Sequence, residues 1–310
     1  MGKFVNPFTD IGFKVIVGSE LSKDVLIQLL NAWLEGEHHI EDLVFLDKEN
    51  HNDNIHDRGI VYDLYCRTSS GEHIIVEMQN RWHSCFLDRT LYYVCRSISR
   101  QLQLPPEHVD EMAVGLLSED SEEVCGTKTN PRSFGKRYKL ATVYGIFLMN
   151  FKESGLEEKF RTDAAVMDCE TGRMVNPHLR QIYLQFPYFT KELSECETLC
   201  DKLMYTLKNM DKWDRMPGAL KEQVFQRLEQ LAAVANLSEA DRIAYDKAVD
   251  AYRISRTVEA DCYERGMQDG FDKGIKEGAR NIALRMKKQG LSDEDIAGLT
   301  GLPLKEINGL

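Results

Sequence analysis

The sequence predicts an α+β protein built on a central mixed β-sheet flanked by helices and followed by a helical C-terminal region, and three observations carry that prediction. Two apolar runs, residues 60–68 (IVYDLYCRT) and 73–79 (HIIVEMQ), flank a short segment containing Ser69, Ser70 and Gly71, which is a β-hairpin signature. A third run, YKLATVYGIFLMNF, is too continuously apolar for a sheet edge and reads as a central strand. Apolar residues at helical spacing surround these strands and dominate from residue 190 onward.

In chain order, a short turn-rich opening leads to a helix over residues 19–34, where Leu21, Val25, Leu26, Leu29, Leu30 and Trp33 recur at helical spacing behind a Ser19 cap. Residues 47–58, rich in Asn, Asp and His, form a loop before the hairpin. An amphipathic helix over residues 88–104 stops before Pro105 and Pro106. After an acidic stretch come the central strand, a turn at Glu170, Thr171 and Gly172, and the strand RQIYLQF. Residues 190–263 read as helical throughout.

The C-terminal end differs in kind. Gly266, Gly270, Gly274 and Gly278 recur every fourth residue. They form either a flexible polar linker or a glycine stripe on one helix face that permits close helix approach. Residues 291–307 (LSDEDIAGLTGLPLKEI) outline a helix-turn-helix with a Ser292 cap, a turn at Gly301 and a second helix from Pro303. Lys305 is its one basic residue, so the outline suits packing or oligomerisation better than DNA reading. The expected divisions are a core over residues 1–190, a helical region over 191–263, the glycine repeat over 264–281 and the tail over 282–310.

Composition narrows the function. A chain of 310 residues that is 43% hydrophobic and 29% charged can bury a substantial core. The opening residues lack a signal-peptide pattern, and no window approaches the ~18 unbroken apolar residues of a membrane span, so a cytoplasmic protein without membrane contact is expected. Eight cysteines, with neither a CxxC pair nor zinc-ligand spacing, read as reduced thiols. The net charge of −11 argues against a general nucleic-acid coat. Charge is nevertheless segregated: residues 104–127 carry seven acids and no Lys or Arg, while residues 126–151 carry Lys128, Arg132, Lys136, Arg137 and Lys139 and no acid. P-loop, GxGxxG, GxSxG and HExxH patterns are all missing from the sequence.

The chemistry is concentrated in the hairpin. The strand period of two places Ile75, Glu77 and Gln79 on one face, so a carboxylate sits within a strand of buried character. Such a carboxylate is usually paired or holds a metal. If the turn pairs Thr68 with Glu72, Asp63 falls opposite Glu77 and the two acids stand about 5 Å apart. A two-residue loop would instead send them to opposite faces. Adjacent carboxylates raise one another's pKa unless a cation intervenes, and Mg²⁺ favours such oxygen ligands. Gln79 is then placed to orient an attacking water. The alternative is that both acids pair with Lys or Arg across the sheet.

Asp63, the hairpin and Glu77-Met78-Gln79 resemble the D…(E)xK signature of PD-(D/E)XK nucleases, with Gln in the usual Lys position. NPFTDIGFKVIVGSE, VYDLYC, IIVEMQ, DRTLYY and the glycine repeat together resemble the Rpn family of recombination-promoting nucleases, also labelled transposases, over nearly the whole chain. The resemblance implies a restriction-endonuclease-like core and makes Asp63 and Glu77 ligands of Mg²⁺, with Mn²⁺ as a substitute. Gln79 becomes the water-side residue. Lys14 would reach the site in place of the missing lysine, and Asp10 would add a further acid. Arg89, Tyr92, Arg96 and Arg100 form one stripe on the following helix and, with Arg81, a surface for the DNA backbone. The alternative pairs these arginines with acids of residues 107–123 and buries Tyr92.

The expected function is a Mg²⁺-dependent DNA endonuclease of low sequence specificity, forming a homo-oligomer through its C-terminal helical region. The alternatives are a catalytically weak nuclease fold that binds DNA or protein, and a self-assembling scaffold.

Overall fold

In a computed structural model that describes residues 3–37, 39–47, 49–50, 60–102 and 139–310, the chain divides into two compact units, residues 1–248 and 249–310. The acidic stretch of residues 104–127, Lys128, Arg132, Lys136 and Arg137 lie outside the described residues.

The first unit opens not with turns alone but with a helix, α1 (Asp10–Val17). The segment before it explains how so short a helix forms. Asn6 accepts the Phe8 N–H on its side chain, and Thr9 caps α1 by accepting the Gly12 N–H at 3.1 Å. Gly12 is required by space, since a Cβ there would lie 1.9 Å from the Asn6 carbonyl oxygen. A 3₁₀ turn (Glu20–Ser22) then leads into α2 (Lys23–Trp33), which buries Val25, Leu26, Leu29, Leu30 and Trp33 as its spacing predicts. Leu21 sits on the 3₁₀ turn rather than the helix and is exposed.

A six-stranded mixed sheet follows, with strand order β1-β4-β5-β6-β8-β7. Its strands are β1 (Leu43–Phe45), β4 (Leu64–Thr68), β5 (His73–Gln79), β6 (Val143–Met149), β7 (Arg161–Met167) and β8 (Met174–Gln185). β5, β6 and β8 run parallel, and the remaining pairs are antiparallel. The apolar run of residues 60–68 is not one strand. β2 (Glu49–Asn50) and β3 (Ile60–Val61) form a separate ribbon, and the chain bends at Asp63 before entering β4. Of the predicted central strand, only Val143–Met149 is extended, and every residue of it is buried.

The helix between β5 and β6, α3 (Phe86–Arg100), packs Phe86 and Val94 into a cluster with Tyr65, Ile75, Phe147, Met149 and Tyr183. Gly145 permits this approach, because a Cβ on it would meet Val94 at 2.7 Å. Ile74 and Val76, on the opposite face of β5, are equally inaccessible, so both faces of the central strands are covered. Three further α-helices lie in the unit or begin within it: α4 (Leu199–Asn209), α5 (Gln223–Ala232) and α6 (Glu239–Lys288).

The second unit holds the C-terminal part of α6, α7 (Asp293–Thr300) and α8 (Leu304–Asn308). Ser292 caps α7 by accepting the Asp295 N–H, and Gly301 takes the left-handed conformation at φ 71°. Ala283, Ile296, Leu302 and Ile307 form its small core. The four repeat glycines lie inside α6, so the segment is helical rather than a flexible linker.

Candidate active site

The hairpin register decides whether two acids can meet. β4 and β5 pair Leu64 with Val76 and Arg67 with His73, and Thr68 N–H donates to the Glu72 carbonyl at 2.9 Å. That register brings Asp63, at the bend just before β4, opposite Glu77. Gly71, at φ 101°, closes the turn.

The two acids are interlocked through the opposing strand. Asp63 N–H donates to Glu77 Oε1 at 3.1 Å, and Met78 N–H donates to Asp63 Oδ2 at 2.8 Å. Glu77 is 3% exposed. Burial pushes its carboxyl up to about 8, reinforced by the negative charge of Asp63 and only partly opposed by the Asp63 N–H, Arg89 and Gln79. Tyr93 is raised as well, by burial first and then by the charge of Glu77.

Gln79 lies two residues along the same face and donates from Nε2 to Glu77 Oε2 at 3.1 Å. Its own Oε1 accepts from an Arg89 Nη. The Arg89 guanidinium lies over the Tyr93 ring, 5.7 Å from the centroid. Arg89 is therefore turned toward the acid pair rather than serving only the outer stripe of α3.

A cleft of about 300 Å³ opens beside the pair, lined by Asp10, Phe13, Asp63, Met78, Gln79, Asn80 and Arg81. It lies at the carboxyl ends of the parallel strands, where Gln79, Met149 and Gln185 stand in one row. Asn80 brings the N-terminal segment to the cleft by donating from its side chain to the Phe8 carbonyl. Asp10, at the start of α1, thereby reaches the rim. Lys14 forms an exposed ion pair with Asp10 at 3.0 Å and is not among the cleft-lining residues.

Arg81, Asp10, Asp63 and Gln79 thus share one cleft, and Glu77 lies buried in contact with Asp63 and Gln79. On α3, Tyr92 is 42% exposed and not core, while Arg96 and Arg100 are half-buried. Sequence reasoning missed Tyr93 and Asn80. Tyr93 follows Arg89 by four residues, a helical neighbour as good as Tyr92 at three, and Asn80 directly follows the ExQ triplet.

The donor set of the pair is oxygen only, which suits Mg²⁺ or Mn²⁺ and not a thiolate-seeking metal. Among the described residues, no three His, Cys, Asp or Glu side chains converge on a point; Asp63 and Glu77 are the two carboxylates that could hold such an ion. Two protein carboxylates accord with an ion that keeps several waters.

A mixed sheet flanked by helices, with one acid and a polar side chain on a strand and a second acid at the entry to the neighbouring strand, matches the PD-(D/E)XK class. The family model described as PD-(D/E)XK nuclease family transposase matches residues 7–121 and 127–258, and the chain belongs to that family. No curated protein and no solved structure matches it.

Proposed function

We propose that this nuclease-family protein is a divalent-metal-dependent DNA endonuclease, using Mg²⁺ with Mn²⁺ as a substitute, and that it cuts with little sequence choice. One observation carries the reading: a buried carboxylate, Glu77, interlocked with Asp63 at the edge of a cleft, where burial and like charge both oppose ionisation. Asp63 and Glu77 would hold the ion, with Asp10 as a further acid at the rim. When bound, the cation polarises the scissile phosphate and lowers the pKa of a coordinated water.

The chain's own residues position the substrate. Gln79 orients the attacking water at the cleft floor. Arg81 meets a phosphate at the rim, and Tyr92, Arg96 and Arg100 extend the backbone contact along α3. Lys14, held by Asp10, adds positive charge near that rim. Residues 1–190 form the nuclease core.

We assign the protein to the cytoplasm; no described helix is long and apolar enough to cross a membrane. The C-terminal part of α6 supports a homo-oligomer, since Met267, Phe271 and Ile275 are exposed directly after three of the repeat glycines. Truncation at residue 260 should lower the oligomeric mass measured by light scattering.

Plasmid nicking with and without divalent metal tests the activity. Wild type should cut, and Asp63→Ala and Glu77→Ala should each lose at least ~100-fold in rate with circular dichroism unchanged. Cutting by both variants at the wild-type rate removes the site. Salt-sensitive DNA binding without cleavage by wild type makes the protein a binding module.

A further inference from the structure

We infer that Arg89 is a positioning residue of the active site, acting through Gln79 on Glu77, and not merely one of several phosphate contacts on α3. The inference rests on the nuclease reading above for its kinetic consequence, but on contacts alone for its geometry.

A glutamine amide beside a carboxylate can point either end toward it. Here Nε2 faces Glu77 Oε2 at 3.1 Å, and Oε1 accepts from Arg89. Arg89 has only donors, so it can hold only the oxygen end of the amide. The guanidinium therefore selects the flip that turns the amide donor onto Glu77. A neutral amide at position 89 would leave that choice open, and a carboxylate, which only accepts, would reverse it.

Arg89 is itself held in place. Its guanidinium lies over the Tyr93 ring at 5.7 Å, Tyr93 packs edge-on against Tyr62 at 5.6 Å, and the Tyr62 hydroxyl donates to the Tyr93 carbonyl at 3.4 Å. Tyr62 directly precedes Asp63, so the cation and the acid pair are fixed by one aromatic cluster. Arg89 Nε is buried and has no hydrogen-bond partner among the described residues. A residue recruited only for a surface phosphate would not bury a donor in this way.

The strand residue next to Glu77 on this face is a neutral glutamine, so the nearest positive charge that the contacts identify comes from α3. Arg89 reaches the acid pair through the Gln79 amide, whose oxygen it holds while the Nε2 end meets the Glu77 carboxyl. It supplies from the helix the charge that position 79 does not.

Selective ¹⁵N-glutamine labelling and cleavage kinetics test this together, using Arg89→Gln, the charge-preserving Arg89→Lys and the double variant Arg89→Gln/Gln79→Lys. The Gln79 side-chain amide pair, assigned by its loss in Gln79→Glu, should move toward the free-amide position in Arg89→Gln and stay near its wild-type position in Arg89→Lys. kcat should fall roughly 10- to 100-fold in Arg89→Gln, with KM within about threefold of wild type. Lysine at position 79 should restore at least about tenfold of that loss.

An unmoved Gln79 signal in Arg89→Gln overturns the inference. A raised KM with intact kcat also overturns it, since that marks a phosphate contact only. Failure of wild type to cut, alongside a displaced Gln79 signal in Arg89→Gln, leaves the positioning contact standing and removes the nuclease reading instead.

Discussion

Replacing Glu77 with glutamine removes the group most strained by its surroundings. In the folded chain its carboxyl rises from an ordinary 4.5 to about 8. Between those values the folded state holds a proton that the unfolded state has released, so stability is complete below pH 4.5 and declines as pH rises toward 8. Each pH unit in that window costs about 1.4 kcal/mol, and the whole window is on the order of 4–5 kcal/mol. Glu77→Gln cannot lose a proton and escapes this decline. In metal-free buffer, wild type should therefore lose melting temperature from pH 6 to pH 8.5 relative to Glu77→Gln. Only the part of the window between pH 6 and 8 lies in that interval, about 2–3 kcal/mol, so at about 2–4 °C per kcal/mol for a unit of this size the gap should change by roughly 5–10 °C in favour of the variant. Saturating Mg²⁺ should recover wild type and not the variant, because only the ionised carboxylate gains from the cation. A melting difference that stays constant between the two pH values, with and without Mg²⁺, would show that Glu77 is not held protonated by burial and Asp63.

Two further substitutions probe the frame around the site. Gly12→Ala places a methyl group 1.9 Å from the Asn6 carbonyl, so it should cost at least about 2 kcal/mol and displace Asp10 from the cleft; calorimetry and a nicking assay check the two effects. His73 is pushed down to about 4 by burial and, less, by the charge of Arg67. The stability it contributes is therefore present above 6.5 and lost as pH falls through 4. His73→Leu, which cannot charge, should flatten acid unfolding over that range by roughly 3 kcal/mol, read from urea midpoints.

Much of this site was legible because the strand pattern is strict. The Ser69 to Gly71 turn set the register, and the register set Asp63 against Glu77. What escaped was the division of the 60–68 run. Apart from Asp63 its residues are strand-like, and the pairing of Ile60 and Val61 with Glu49 and Asn50 divides the run there. α1 escaped because its formation depends on Asn6 and Thr9 contacts and on the space at Gly12, none of which shows in hydrophobic spacing. Arg89 was visible as part of a basic stripe. Its inward turn was not, since helical spacing says which residues share a face and not where a long, flexible side chain ends.

A chain of net charge −11 must still admit a polyanion, and distance decides how. At physiological ionic strength the Debye length is about 8 Å, so remote acids repel DNA weakly while charges at the cleft act almost in full. Arg81 lines the cleft beside Gln79. Arg173 lies just before the far end of β8, whose other end, Gln185, stands in the same row as Gln79. At about 3.3 Å per residue, that strand separates the two arginines by roughly 40 Å, several Debye lengths. Arg81→Glu and Arg173→Glu change the net charge equally. If local charge governs, Arg81→Glu should weaken binding to a catalytically inert complex at least about tenfold and reduce the salt dependence by about one released counterion, while Arg173→Glu stays within about twofold. Equal losses in the two variants, measured by fluorescence anisotropy across a salt series, would mean that overall charge controls access and that the cleft rim holds no phosphate.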